Sequence, residues 1–495
     1  MNPSGNLPIL VIVIPLISAL LIPIFGMFAK KAAWYVAAAI TFLSLIFSIS
    51  LLDTALISGR ISYRLGGWEP PWGIEYAVDY LNGFVLVTVS FIFFLAAIYS
   101  KKSVEKEIAE DKATAFYAVY MLFFTGLMGM TITGDIFNLY VFIEITALAG
   151  YTLTAMGKRR EALLASYNYL ILGTIAATFI LIGIGYLYIK TGTLNMGDLS
   201  ERLPALYGST AIRTAFAFIT VGLCIKLALF PFHIWLPGVH THAPSVISVL
   251  LSAIAVEVGA YVLFRLMFNV FTVRFYLEAV PVTKILLFLS ASAIVAGSVL
   301  AIAQTKIKRM LAYSTVGQMG YIVLGAAISN PLSVTGSLLH ILNHAMMKGS
   351  LFMAAGAVIY ATGIEDISGL KGMGRRMPFT MAAFTISSLS MIGMPLTVGF
   401  VSKWYLALGA LKSGMWYIVL LILLSSLLMA VYFWRVVETI YFPGDGGHTE
   451  VRCDAPAGMV VPTLILSLLC VVFGAAAALP VGIATKAANM LLGIK

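Results

Sequence analysis

Residues 7–27 read LPILVIVIPLISALLIPIFGM, an apolar run without a single charge. Comparable runs recur along the whole chain and exceed the ~18 residues that mark a membrane-spanning helix. Charge is correspondingly scarce: 61% of the residues are hydrophobic and 11% are charged, too little charge to cover a soluble protein of this size. In the bilayer core each backbone N–H and C=O must find its partner within protein, and long continuous apolar runs do so as helices rather than as barrel strands. The chain therefore reads as an all-α, polytopic integral membrane protein.

The runs divide into about 14 spans. They fall at 7–27, 32–52, 77–99, 113–133, 136–156, 162–190, 212–237, 243–271, 281–303, 310–329, 332–361, 378–413, 415–442 and 456–480. The first has no basic residue before it and Lys30 and Lys31 after it, so it reads as a spanning helix rather than a cleaved signal. Loops after odd-numbered spans carry about twice the basic residues of loops after even-numbered spans. The positive-inside rule then places odd loops in the cytoplasm and both termini outside the cell membrane. The second loop, RISYRLGGWEPPWGIEYAVD (60–79), has the Trp, Pro and Gly of an interfacial hairpin. PGDGGHTEVRCDAPAG (443–458) is a loop, and no soluble domain is present. Cys224, Cys453 and Cys470 match no CxxC pattern and read as free thiols. The net charge of +10 fits basic loops and not nucleic acid.

Ionisable residues inside the apolar runs are the functional candidates, because each costs roughly 2.5–3.5 kcal/mol on insertion scales. Glu144 shares a helical face with Tyr140, Ala147 and Tyr151; the competing reading is a neutral acid hydrogen-bonded to a neighbouring helix. Asp135, at the start of that helix, reads as an N-cap. Lys226 precedes Pro231 in GLCIKLALFPFHIWLP (222–237), and a carboxylate such as Glu144 would tune its proton affinity. Glu257 is a second buried acid, and Arg265, two turns on, reads as a snorkelling side chain. His340, His344 and Lys348 recur at steps of four and form one stripe suited to proton relay. An HxxxH pair also suits a metal, but no third ligand lies near in sequence, so no metal is expected. Lys403 follows Pro395, the reverse order of Lys226 and Pro231. Two interrupted helices in corresponding halves point to an ion path in an inverted-repeat transporter. His240 and His242, beyond the first break, are candidate proton inlets, with interfacial capping as the alternative; capping is the stronger reading for His233. There is no P-loop, no dinucleotide fold around Gly183 and Gly185, no catalytic triad, and no haem, iron–sulfur or flavin pattern. No cofactor is expected.

Four stretches, FPFHIWLPGVHTHAPSVISVLLSA (230–253), KIKRMLAYSTVGQMGYI (306–322), HILNHAMMKGSLF (340–352) and GMPLTVGFVSKWYL (393–406), resemble the antiporter-like subunits of respiratory complex I and their relatives. Those relatives include the D-type subunit of Mrp-type Na⁺/H⁺ antiporters and the matching subunit of membrane-bound hydrogenases and sulfane-sulfur reductases. The resemblance implies an N-terminal three-helix segment (1–110), two inverted five-helix repeats (111–272 and 273–442), discontinuous helices 7 and 12, and a C-terminal loop and helix 14 (443–495). It maps the family's functional charges onto Glu144, Lys226, His340, His344, Lys348 and Lys403. Many relatives carry lysine where this chain has Glu257, which inverts the charge at the centre. The implied function is a proton-translocating antiporter-like subunit of a multi-subunit membrane complex, similar to the D-type Mrp subunit or to its hydrogenase or sulfane-sulfur reductase equivalent. A proton-pumping NADH, F420 or quinone-type complex I subunit is the alternative, and a stand-alone solute carrier or a passive anchor are the other classes. The partners implied are other membrane subunits, lipid, H⁺ and, as a further candidate, Na⁺. The expected route runs from His240 or His242 toward Lys226 and Glu144, then through Glu257, His340, His344 and Lys348 to Lys403.

Overall fold

A computed structural model describes residues 3–29, 31–279, 282–442 and 453–494. Lys30, Arg452 and the 443–458 loop up to Arg452 lie outside them. Among the described residues, twelve helices are long and apolar enough to cross a membrane. The two remaining expected spans are each a pair of short helices around a break. Thr210–Lys226 is followed by Trp235–His242, and Pro378–Ile392 by Val398–Lys412.

Five helices form the centre. Tyr80–Glu107, Glu110–Ile132, Ser245–Val270, Ile307–Ile328 and Pro331–Thr362 are buried over most or nearly all of their length. Around them, Leu7–Phe28, Ala32–Ser58, Glu161–Thr191, Val282–Ile302, Trp416–Tyr441 and Ala457–Ala475 bury only part of their surface. Their outer faces are as apolar as their inner ones, the pattern of helices whose other solvent is lipid. Small residues let neighbours approach closely. A Cβ on Gly297 would lie 2.5 Å from the backbone nitrogen of Gly317, so Val282–Ile302 packs backbone to backbone on Ile307–Ile328.

Polar residues fix the helix ends. Asp79 and Asn82 form a capping box at the start of Tyr80–Glu107, as Asn330 and Ser333 do for Pro331–Thr362. Asp135 accepts from the Asn138 backbone N–H at 2.7 Å and is the expected N-cap. The 60–79 loop is a two-stranded antiparallel hairpin, Ile61–Arg64 with Glu75–Val78, the small exception to an all-helical chain.

Lys226 closes the first half of its broken span. Two details depart from expectation. The last span, Ala457–Ala475, is followed by a separate short helix, Ala478–Leu491. Arg265 does not snorkel: its guanidinium grips Asp79 with two bonds, 2.7 and 2.9 Å, and both side chains are largely buried. The partner lies 186 positions away, so the helix pattern gave no sign of it.

Candidate functional site

A broken helix frees carbonyls that lipid cannot satisfy. At the first break the chain turns through Ala228 at φ 50°, and the Trp235 indole donates to the Ile225 carbonyl at 3.0 Å. Lys226 stands at the end of this helix beside a cavity of about 40 Å³ that Thr146, Tyr169 and Trp235 also line. At the second break Gly393 adopts φ 94°. Lys403 Nζ there donates to the Met391 and Ile392 carbonyls, each at 2.9 Å, and to Ser426 Oγ at 3.2 Å. Those carbonyls are the negative end of the Pro378–Ile392 helix, so backbone dipoles stand where a carboxylate would otherwise compensate the ammonium.

The central helices carry a continuous run of polar contacts. Glu257 Oε1 and His344 Nδ1 form a hydrogen bond between side chains that are 1% and 0% exposed. Glu257 Oε2 and His344 Nε2 have no protein partner among the described residues. His340, stacked one turn away with ring centroids 6.1 Å apart, bonds Ser402 Oγ at 2.9 Å through Nδ1. Its Nε2 meets Gln318 Oε1 at 2.8 Å. Both ring nitrogens are thus taken, which leaves neither for a metal. Gln318 Nε2 reaches Met429 Sδ at 3.2 Å, and that sulfur lies 3.9 Å from Lys403 Nζ. The Tyr321 ring lies 5.2 Å from the same ammonium. Glu257 is thus bonded to His344, His344 stacks on His340, and His340 bonds Gln318, whose amide shares the Met429 sulfur with Lys403. Sequence reasoning did not single out Gln318, Ser402 or Tyr321. The signal available was Gln318 and Tyr321 spaced three apart in an otherwise apolar run.

The other candidates sit beside this axis. Lys348 Nζ donates to the Leu311 carbonyl at 2.6 Å and to Ser314 Oγ. It lies 5.9 Å from the Phe352 ring, and the His240 ring packs 4.9 Å from that same phenyl. Both His240 nitrogens are buried without a protein partner among the described residues. His242 lines a separate pocket at the loop face. Glu144 and Lys226 form no direct ion pair among the described residues, and Glu144 Oε1 has no partner there. Glu144 shares its helical face with Phe137, Val141 and Leu148, which are 44%, 37% and 57% exposed. Glu144 itself is half-buried, between that exposed strip and the buried Ala147 and Tyr151. Pro231 and Pro395 both lie within the breaks.

Residues 133–429 match the family described as NADH:quinone oxidoreductase/Mrp antiporter, TM. The chain is 42% identical over 491 residues to the N-type subunit of NADH-quinone oxidoreductase from Desulforudis audaxviator, covering 95% of this chain and 96% of that protein. It is 30% identical over 470 residues to the D-type subunit of the Na(+)/H(+) antiporter from Bacillus subtilis, covering 95% and 94%. A chain of the membrane-bound sulfane sulfur reductase, an archaeal respiratory membrane complex, superposes with a TM-score of 0.92 at 33% identity over 98% of both chains. A chain of the Mrp complex from Dietzia sp. DQ12-45-1b shares the fold, with a TM-score of 0.90 at 21% identity over 99% of this chain and 98% of that one. By sequence along most of its length, and by a fold with two broken helices around a buried polar core, the chain belongs to the NADH:quinone oxidoreductase/Mrp antiporter family of membrane subunits.

Proposed function

We infer that this chain is the proton-translocating subunit of a multi-subunit membrane complex. The observation that carries the reading is the buried run Glu257–His344–His340–Gln318–Lys403. A passive anchor gains nothing from it, since every member costs desolvation in lipid. Imidazoles pass protons near neutral pH by exchanging donor and acceptor roles. The two breaks, Lys226 before Pro231 and Pro395 before Lys403, support the division into inverted repeats 111–272 and 273–442. The inlet runs through His242 and His240 toward Lys226 and Glu144 and meets the axis at Glu257. With odd-numbered loops in the cytoplasm, His242 faces that side.

Glu144 also argues for a partner. A half-buried carboxyl group beside lipid-facing side chains is stable only when a neighbour supplies a donor or a charge. Another membrane protein of the complex, packed along Phe137, Val141 and Leu148, would cover it. A redox-driven complex is favoured over a gradient-driven cation antiporter by the 42% identity to an oxidoreductase subunit, against 30% to an antiporter subunit. Na⁺ remains a candidate second ion under the antiporter reading. The test is a reconstituted complex carrying Glu144→Ala or Lys226→Ala. Both should assemble and lose ion translocation; unchanged transport in both would sink the assignment.

A further inference from the structure

Five loops, those after spans three, five, seven, nine and eleven, converge on a pocket of about 250 Å³ that the proton route only grazes at His242. Its wall is strongly basic. Lys106, Lys158, Arg159 and Lys308 line it against two carboxylates, Glu107 and Glu365.

Both carboxylates are already engaged. Glu107 accepts from Ser103 Oγ at 2.7 Å, and from the Ser245 backbone N–H and hydroxyl at 2.8 and 3.1 Å. Glu365 is held by Arg159 and by Lys306, the latter at 3.5 Å. Burial pushes the Glu365 carboxyl up, but these cations outweigh it and hold it below the ordinary carboxylate value. The lysines hydrogen-bond only to neutral carbonyls, with Lys106 also 4.9 Å from the Tyr360 ring and Lys308 in the field of Glu107 and Glu365. Lys308, 7% exposed, donates to the Ala243 carbonyl at 3.0 Å. Lys158 donates to the Lys106 carbonyl at 2.6 Å, and Lys106 to that of Tyr360. A carbonyl fills one of an ammonium's three donors, and two engaged carboxylates do not balance Lys106, Lys158, Arg159 and Lys308. His242 Nδ1 is buried beside them without a partner among the described residues.

We propose that this pocket binds a phosphate group. A single tetrahedral oxyanion offers the several acceptors and the negative charge that Lys106, Lys158 and Lys308 jointly lack. Basic pockets between spanning helices on a cytoplasmic face suit anionic lipid headgroups, and a free phosphate ion has the same chemistry. The inference is independent of the proton route.

The test is lysine labelling of the intact purified, delipidated complex, read by peptide mass spectrometry. One arm adds phosphatidylglycerol, a second sodium phosphate; phosphatidylcholine and sodium chloride of equal ionic strength are the controls. At about ten times the dissociation constant, labelling of Lys106 and Lys158 should fall roughly tenfold, while Lys190 and Lys412 on other loops label as before. Protection by the lipid alone identifies a headgroup, protection by both a site open to free phosphate, and protection by phosphate alone the ion itself. Single variants at exposed positions, Lys106→Gln read at Lys158 and Lys158→Gln read at Lys106, should lose the protection. Equal labelling with phosphatidylglycerol, phosphate and the controls would overturn the proposal, as would protection of Lys106 by chloride or phosphatidylcholine.

Discussion

Glu257 and His344, 87 positions apart, share one hydrogen bond in the middle of the molecule. Each presents its second polar atom to the interior without a protein partner among the described residues. The pair can hold one proton on either member and pass it on through the other. Glu257→Gln keeps the volume and hydrogen bonding but not the exchangeable proton. Proton flux in proteoliposomes should fall by roughly 10²-fold or more, with assembly intact. Glu257→Lys should fail as well, because the new ammonium would stand against the His344 imidazole, one helical turn from Lys348, with no acid to offset it. Flux near the native level in the Gln variant would show that the pair is structural.

Gln318 is the joint between the histidines and Lys403. Its side-chain carbonyl meets His340 Nε2, and its amide nitrogen reaches Met429. Gln318→Met preserves bulk and removes both polar ends. A buried ring nitrogen left unpaired costs about 1–3 kcal/mol, so the melting temperature of the complex should drop modestly and flux should drop sharply. A lowered melting temperature with full flux would take Gln318 out of the route and leave it a packing residue.

Lys403 depends on its backbone seat. Gly393 turns the chain at φ 94°, and a Cβ there would come within 3.1 Å of Lys403 Cδ. Gly393→Ala is strained at that φ and pushes the lysine off the Met391 and Ile392 carbonyls. Stability should fall by about 1 kcal/mol or more, with a loss of flux approaching that of Lys403→Met. Gly414, at φ 73° with open space around it, is the control: the same substitution there should strain the loop and spare transport.

The Asp79–Arg265 pair ties the hairpin side to the central helix. Asp79→Asn leaves a buried guanidinium unpaired, and losing one partner of a buried pair costs about 3–5 kcal/mol. Burial pushes the Asp79 carboxyl up, but Arg265 more than offsets it and holds it below the ordinary carboxylate value. A depressed carboxyl stabilises fully above its unfolded value and stops doing so as the pH falls through its folded value. Thermal melting of the native complex should therefore weaken below about pH 4, and that part of the acid loss should vanish in Asp79→Asn. Identical acid profiles for the two proteins would remove the pair from the account.

Much of this arrangement was legible from local sequence. Long apolar runs mark the spans, because the bilayer allows few alternatives. Isolated charges mark Glu144, Lys226, Glu257, Lys348 and Lys403, because each is costly unless used. The breaks at Pro231 and Pro395 follow from proline's missing N–H. What escaped was long-range pairing. Glu257 meets His344, and Arg265 meets Asp79, through tertiary packing that no periodicity encodes. Gln318 and Ser402 are uncharged and look like ordinary polar residues in a helix. The half-buried setting of Glu144 depends on which face its neighbours cover. The widened π-type turns at Leu251–Ala255 and Arg265–Val270, on either side of Glu257, had no composition signal; such turns often mark functional sites.

The most direct test of a proton-carrying axis is His340→Gln in the reconstituted complex, with proton flux measured against an assembled native control. Glutamine can still donate to and accept from Ser402 and Gln318, so the fold is kept, but an amide cannot take up and release a proton near neutral pH. The account predicts an assembled complex whose flux falls to background. Native flux through the glutamine variant would contradict it.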